Sequence, residues 1–504
     1  MKCGRLLLTI GLATSTVALL TAAPAQAGSD RASRPVPVSG RSPFPLGCSG
    51  AGRGFAHGAA VEPSLAVDPA IPSHLAAIWQ QDRATTGPGG AQGLVTAFSG
   101  DSGRHWRRVA LPFVSRCSGG IYRLASDPWL SFSSDGRILY ASSLVFDGNN
   151  PVNSLLVSTS RDGGQTWSRP ATIIHVTNAP YINDKESVTA DPFHRDVAYM
   201  VWDRLNPKRG NGQPVWFAKT TNGGLSWSQP RKIYDPTAEG ASTEGNIVTV
   251  LPDGTLVDVF LYAAIGLIPP DGPAVPAARP AATGGVPAEI RAVISHDQGR
   301  TWSGPVVVAR IGFRDHAIDP DTGTRIRTGG NLPAVATDPR TGRIYVTWAG
   351  AGMSSSGSAV GLVSSADGGL HWTRPLRINQ TPDSPRGGNG QAFIPAISVT
   401  PNGTIGVSYY DLRENTPAPG LPAMRWLVTC RGAVCLRTAG AWREQPLLGP
   451  FNLELAPRIA GGGYFLGDYM GQAAAGDSLL TLATATTRIP GNQQNEYFQR
   501  VRSG

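Results

Sequence analysis

Past its first 27 residues, the 504-residue chain has no apolar run approaching the ~20 residues that cross a bilayer, so no later segment is expected to hold it in a membrane. It also lacks lysine-rich runs and aromatic–basic clusters. Its charges are sparse, 16% of residues, and scattered, which argues against a nucleic-acid partner and for a solvated surface. Cysteine is scarce at five residues. Around Asp319-Pro-Asp321-Thr-Gly323 most of the ligand pattern of a calcium loop is missing, so the stretch reads as an Asx turn, with bound calcium as the alternative and no other cofactor implied.

What is there begins with a secretory pattern. Lys2 and Arg5 precede an apolar run from Leu6 to Leu20, and Ala25-Gln26-Ala27 offers a cleavage triplet. Residues 1–27 are therefore expected to be a signal peptide, and the mature product a soluble extracellular protein. Removing Lys2 and Arg5 takes the basic count from 44 to 42 against 35 acids, a formal charge of +7. Cys3 leaves with the signal, and the remaining even number suits an oxidising compartment. Cys430 and Cys435 are spaced for a bridge across a tight hairpin, which leaves Cys48 to pair with Cys117 by elimination.

High glycine and proline, 62 and 42 residues, point to short strands and many turns. Five segments then match one template, Ser-x-Asp-x-Gly-x-x-Trp. They contain Asp101 and Trp106, Asp162 and Trp167, Asn222 and Trp227, Asp297 and Trp302, and Asp367 and Trp372; the third carries Thr and Asn in place of Ser and Asp. Successive tryptophans lie 61, 60, 75 and 70 residues apart, enough for one four-stranded sheet each. The residue types suit a hairpin turn: Ser and Asp bond nearby amides, Gly takes positive φ, and Trp packs between sheets. These boxes are thus read as structural rather than catalytic.

Upstream of each box recurs a strand, a turn and a second apolar strand, giving units that start near residues 62, 126, 185, 243, 331 and 391. The sixth has Cys430 to Trp442 where its box should be. A tail of three strands, Gly467 to Ala475, Ser478 to Thr486 and Asn495 to Val501, makes a further sheet that an N-terminal strand around Pro35 to Ser39 would complete. The expected fold is an all-β propeller of seven blades, or of six with the tail as an accessory hairpin. Residues 28–60 form an N-terminal segment and 61–504 one propeller domain. Ile265 to Glu289, rich in Pro, Gly and Ala, reads as a flexible loop.

Antiparallel topology sends the boxes to one face and the starts of first strands, with the ends of second strands, to the other. At first-strand starts lie Glu62, Asp127, Asp184-Lys185-Glu186, Glu244, Asn331, Gln391 and Asp468-Tyr469. At second-strand ends lie Asp82-Arg83, Asp203-Arg204 and Tyr409-Tyr410-Asp411-Leu-Arg413. Acids, arginines and tyrosines converging on one concave mouth make a candidate ligand site; rim salt bridges and backbone caps are the structural alternative.

The boxes resemble those of the sialidase superfamily, the bacterial-neuraminidase-repeat proteins, over most of the mature chain. The resemblance implies three arginines on a substrate carboxylate, an Asp as acid/base and a Tyr nucleophile activated by Glu. Arg83, Arg204 and Arg413 are the arginine candidates, Tyr469 or Tyr410 the nucleophile, Glu186 or Glu244 its partner, and Asp127 or Asp82 the acid, with Asp468 also facing substrate. The family's Phe/Tyr-Arg-Ile-Pro signature is absent; Pro45-Leu-Gly and Val61-Glu-Pro stand in the comparable region. The expected product is a monomeric, secreted, sialidase-like glycoside hydrolase acting on exposed glycans, the alternative being a carbohydrate- or protein-binding propeller without turnover.

Overall fold

Alternation of small apolar and polar residues between Gly, Pro, Asn and Asp turns leaves the chain little scope for helix, and the structure, a computed structural model, is nearly all β. It describes residues 1, 31–51, 54–87, 89–148, 152–177, 181–206, 212–265, 267, 286–459 and 463–503. The expected signal peptide and nearly all of the loop from 265 lie outside the described residues. Val286–Ser295 is a strand, so that loop ends before Glu289. Among the described residues no helix is long and apolar enough to cross a membrane.

Consecutive strands pair antiparallel in groups of four. The first group is Phe55–Val67, Leu75–Ala84, Ala91–Ser99 and Arg107–Ala110. Its first strand starts ahead of the expected domain boundary at 61. The next five groups open with Leu124–Phe132, Ile182–Ala190, Ala241–Val250, Ala334–Thr337 and Ala392–Val399. The seventh comprises Gly471–Ala475, Ser478–Ile489 and Asn492–Arg502, with the N-terminal Val36–Pro37 paired antiparallel to the last, Val36 opposite Phe498. Opening strands contact one another in chain order, and Gly471–Ala475 also contacts Phe55–Val67. Apolar core clusters lie between each successive pair of sheets and between the seventh and the first.

The repeated turns explain this packing. In the first, Ser99 Oγ donates to Asp101 and accepts from the Gly103 amide at 2.9 Å, while Trp106 Nε1 donates to Gly103 O at 3.0 Å. Trp106 then meets Phe498 of the seventh sheet edge-on at 5.4 Å. A Cβ on Gly103 would lie 2.1 Å from the Phe498 ring, and its φ of 86° favours glycine independently. Trp167 reaches back to Thr96 of the first sheet and Trp302 to Phe217 of the third, so each of these rings fastens its sheet to the preceding one. In the sixth sheet, two short 3-10 turns and the Cys430–Cys435 disulfide occupy the box position. Cys48–Cys117 ties the N-terminal segment to the first sheet's outer loop.

One further element crosses the mouth face. His316–Ile318 and Arg325–Arg327, between the fourth and fifth sheets, pair with Gly463–Phe465 and Arg458–Ile459, which precede the seventh. Two connections from separated sheets thus form a small sheet of their own. At its turn Asp319 Oδ1 accepts the Asp321 amide at 2.9 Å and Oδ2 accepts Thr322 Oγ1 at 2.6 Å, an Asx turn. Among the described residues no group of three or more His, Cys, Asp or Glu is placed to hold a metal ion.

Candidate active site

The centre of the mouth is built by one backbone device repeated around the molecule. Opening strands slip register at Val61/Ser64, Ser126/Trp129, Asp184/Ser187, Glu244/Ile247 and Phe393/Ala396. Within each slip one residue is left-handed: Glu62 at φ 54°, Asp127 at 46°, Lys185 at 49°, Gly245 at 71° and Ile394 at 49°; Asn331 at 72° stands just before the fifth opening strand. Such a bulge re-aims a side chain. For Glu, Asp, Lys and Ile the conformation costs roughly 1–3 kcal/mol apiece, and strain of this kind concentrates at ligand sites.

The bulges bring charges from distant parts of the chain together. Lys185 Nζ lies 2.7 Å from Asp468 Oδ2, 3.4 Å from Asp127 Oδ1 and 3.8 Å from Glu62 Oε1, with all four residues buried. Arg327, carried in by the small sheet, donates to both oxygens of Asp468. Glu62 accepts from Gln80 Nε2 and from the Asp468 amide. Gly467, at φ 134°, permits this approach, because a Cβ there would stand 2.8 Å from the Glu62 nitrogen.

These surroundings separate the carboxyls electrostatically. Burial alone would raise Asp468, but Arg327 and Lys185 outweigh it and hold the group well below the usual carboxylate range. Glu186 is pushed well above that range by burial and by the neighbouring Asp127 charge, and neither of its oxygens has a hydrogen-bond partner in another of the described residues. Burial also raises Glu62 and Glu244, in each case opposed by Lys185. Tyr469 is raised by burial and then by Glu62; its hydroxyl donates to Pro128 O at 3.2 Å and its ring meets Trp129 at 5.3 Å. An open cavity runs past Trp129, Lys185, Glu186, Asn246, Asn331, Asp468 and Tyr469. One cavity therefore presents a carboxyl held low by two cations, a carboxyl pushed up by burial, and a phenol.

Of the residues expected from the sequence, Asp127, Glu186, Asp468 and Tyr469 are brought together here, with Glu244 within the field of Lys185. Others are committed elsewhere. Asp82 is buried and accepts from Ser42 Oγ and the Gly58 amide at 2.7 Å each and from Gln92 at 2.8 Å, which ties down the N-terminal segment. Tyr410 lies in the core between the sixth and seventh sheets, its hydroxyl donating to Thr484 O at 2.7 Å.

The three expected arginines have no partner in common. Arg83 donates to Gln80 and stacks on Phe465, Arg204 lies between the Tyr181 and Trp216 rings, and Arg413 is held by Asp411 and Glu444. A carboxylate clamp is not assembled from them in this structure. The reason is local: Arg204 and Arg413 find stacking or ionic partners within their own sheets, and Arg83 stacks on Phe465 of the small crossing sheet. Arg327, which does reach the centre, has no counterpart in the repeat pattern. Its one signal in the sequence is its place in an inserted stretch directly before Asn331.

No protein-family model and no curated protein matches the chain. Among solved structures it is similar to a protein of unknown function from Dyadobacter fermentans, at 15% identity and TM-score 0.48 over 95% of this chain and 100% of that one. It is also similar to the Penicillium chrysogenum alpha-L-arabinanase complexed with arabinobiose, at 12% identity and TM-score 0.46 over 93% and 98%. A Hadza microbial sialidase matches at 14% identity and TM-score 0.44 over 84% and 73%.

Proposed function

We propose that the chain is a secreted, monomeric glycoside hydrolase, sialidase-like in architecture, built as a single seven-bladed propeller closed by its N-terminal strand. The pairing of Val36–Pro37 with Asn492–Arg502 and the contact of the seventh opening strand with the first support closure. The two disulfides and the basic–apolar leader support export.

The observation that carries the reading is the opposed surroundings of two carboxyls on one cavity, Asp468 held low by Arg327 and Lys185 and Glu186 pushed up by burial without a hydrogen-bond partner among the described residues. Cleaving a glycosidic bond requires an acid to protonate the leaving oxygen and negative charge to face the developing oxocarbenium ion. Glu186 is the acid. Tyr469 attacks the anomeric carbon as the bond to the leaving oxygen breaks, its phenolic proton passing to Asp127, whose Oδ2 has no hydrogen-bond partner among the described residues, and the surrounding carboxylates support the positive charge. Lys185 and Arg327 keep Asp468 anionic in a buried place. The substrate is an exposed glycan; because Arg83, Arg204 and Arg413 do not converge, a sialoside is one candidate among several.

The test is release of fluorophore from a panel of aryl glycosides that includes an alpha-sialoside and an alpha-L-arabinofuranoside. At least one should be cleaved, and Glu186→Gln should lower that rate by about 10²–10⁴. No release from any member, or full activity in the variant, would overturn the assignment. A binding protein without turnover is the second reading, favoured by the way Asp468, Lys185 and Arg327 already satisfy one another.

A further inference from the structure

We infer a second sugar-binding position on the mouth face, a stacking ledge formed by the outer face of Tyr181. The inference rests on the glycosidase reading for its ligand class, a neutral sugar unit further along a bound glycan.

Four planar groups make a ladder at the start of the third sheet. Trp202 is fully buried and stacks on Trp216 with ring centroids 6.3 Å apart. The Arg204 guanidinium lies 4.7 Å from the Trp216 centroid on one side and 4.4 Å from the Tyr181 centroid on the other. Tyr181, at the outer end, is 37% exposed, beside the equally uncovered Ile182. No carboxylate pairs with Arg204 among the described residues, so its work is to back the tyrosine ring. The half-buried Arg204 guanidinium between two rings is a rigid support.

The ladder is also pinned along its backbone. Trp202 Nε1 donates to Asn183 Oδ1 at 3.1 Å, Asn183 Nδ2 donates to Asn153 Oδ1 at 2.7 Å, and Asn153 Nδ2 donates to Tyr181 O at 2.9 Å. A ring held this firmly pays little further entropy when a flat ligand lies on it. The C–H face of a sugar is such a ligand, since its hydroxyls project sideways and stay in water.

Continuity with the catalytic centre identifies the occupant. Tyr181 stands immediately before the strand Ile182–Ala190 and four residues before the Lys185 of the charged centre, at most about 13 Å along the chain. That is the reach of a short oligosaccharide leaving the cavity, not of the sugar being cleaved.

The test uses the full mature chain carrying Glu186→Gln, bound to immobilised mono- to hexasaccharides of arabinan and sialylated series. Adding Tyr181→Ala should weaken binding of the longer members by about tenfold and leave monosaccharide binding unchanged, while Tyr181→Phe should restore it. Equal binding with and without Tyr181→Ala overturns the ledge, and so does failure of the Glu186→Gln parent to bind any member longer than a monosaccharide. Cleavage of aryl monoglycosides by the unmodified chain reports separately on the hydrolase reading, so the two can fail independently.

Discussion

Arg327 grips both carboxylate oxygens of Asp468 across 141 residues of sequence, from a hairpin that belongs to neither neighbouring sheet. Asp468 is buried and its other ionic partner is Lys185. Replacing Arg327 with Met leaves a buried carboxylate half-compensated and should cost about 3 kcal/mol, the low end for breaking such a pair because Arg327 itself is partly exposed. Urea unfolding measures this, and the double variant Arg327→Met with Asp468→Asn should recover most of the loss.

Stability should fall as pH rises from mildly acidic to mildly alkaline. Burial raises Glu496 from 4.5 to about 8 and Asp203 from 3.8 to about 7. A raised folded value means that the folded chain holds these protons more tightly. The contribution is complete below the unfolded values and lost progressively up to the folded ones, between about 4 and about 8. Asp468 acts with the opposite sign, its contribution present above 3.8 and lost below it. Urea midpoints across this range should decline with pH, and Glu496→Gln should flatten the decline.

The repeated turns should matter to stability but not to chemistry. Asp162 accepts from Ser160 Oγ, the Gln165 and Thr166 amides and Thr166 Oγ1 at 2.6–3.0 Å. Asp162→Ala should lower unfolding free energy by about 1–2 kcal/mol. Its ligand binding should match that of the unmodified chain when both are measured well below the melting temperature, because the turn sits at the end of the sheet away from Glu186.

A chain beginning at Arg41 should lose cooperative folding. Without Val36–Pro37 the strand Asn492–Arg502 has an unpaired edge, and Glu496, whose amide donates to Ser39 Oγ at 2.8 Å, loses that contact. Size-exclusion chromatography should show aggregated material in place of the single peak of the unshortened chain.

Much of the framework was legible because it repeats. Each Trp of the boxes announces a sheet, and the turn chemistry of Ser, Asp and Gly needs no knowledge of distant contacts. The acids near opening-strand starts were legible for the same reason: Asp127, Glu186, Asp468 and Tyr469 all lie at or close to the start of an opening strand. What the repeat cannot encode is which way a second-strand arginine turns. Arg204 and Arg413 found aromatic and acidic neighbours of their own, and the cation that does complete the centre came from Arg327, in an insertion with no periodicity to reveal it. Tyr410 shows the same limit in another form, since its position on the strand was foreseeable but its burial against the next sheet was not.

The left-handed bulges confer modularity. Because each left-handed residue belongs to a register slip within its own pair of strands, any one of these positions can be exchanged without re-registering the others. Where the residue is Asn331 or Gly245 the exchange meets little conformational resistance, and where it is Glu62, Asp127 or Lys185 the existing side chain is already the less comfortable choice. The scaffold is thus suited to acquiring a new specificity by single substitutions at its hub, while the turns that hold the sheets together stay as they are.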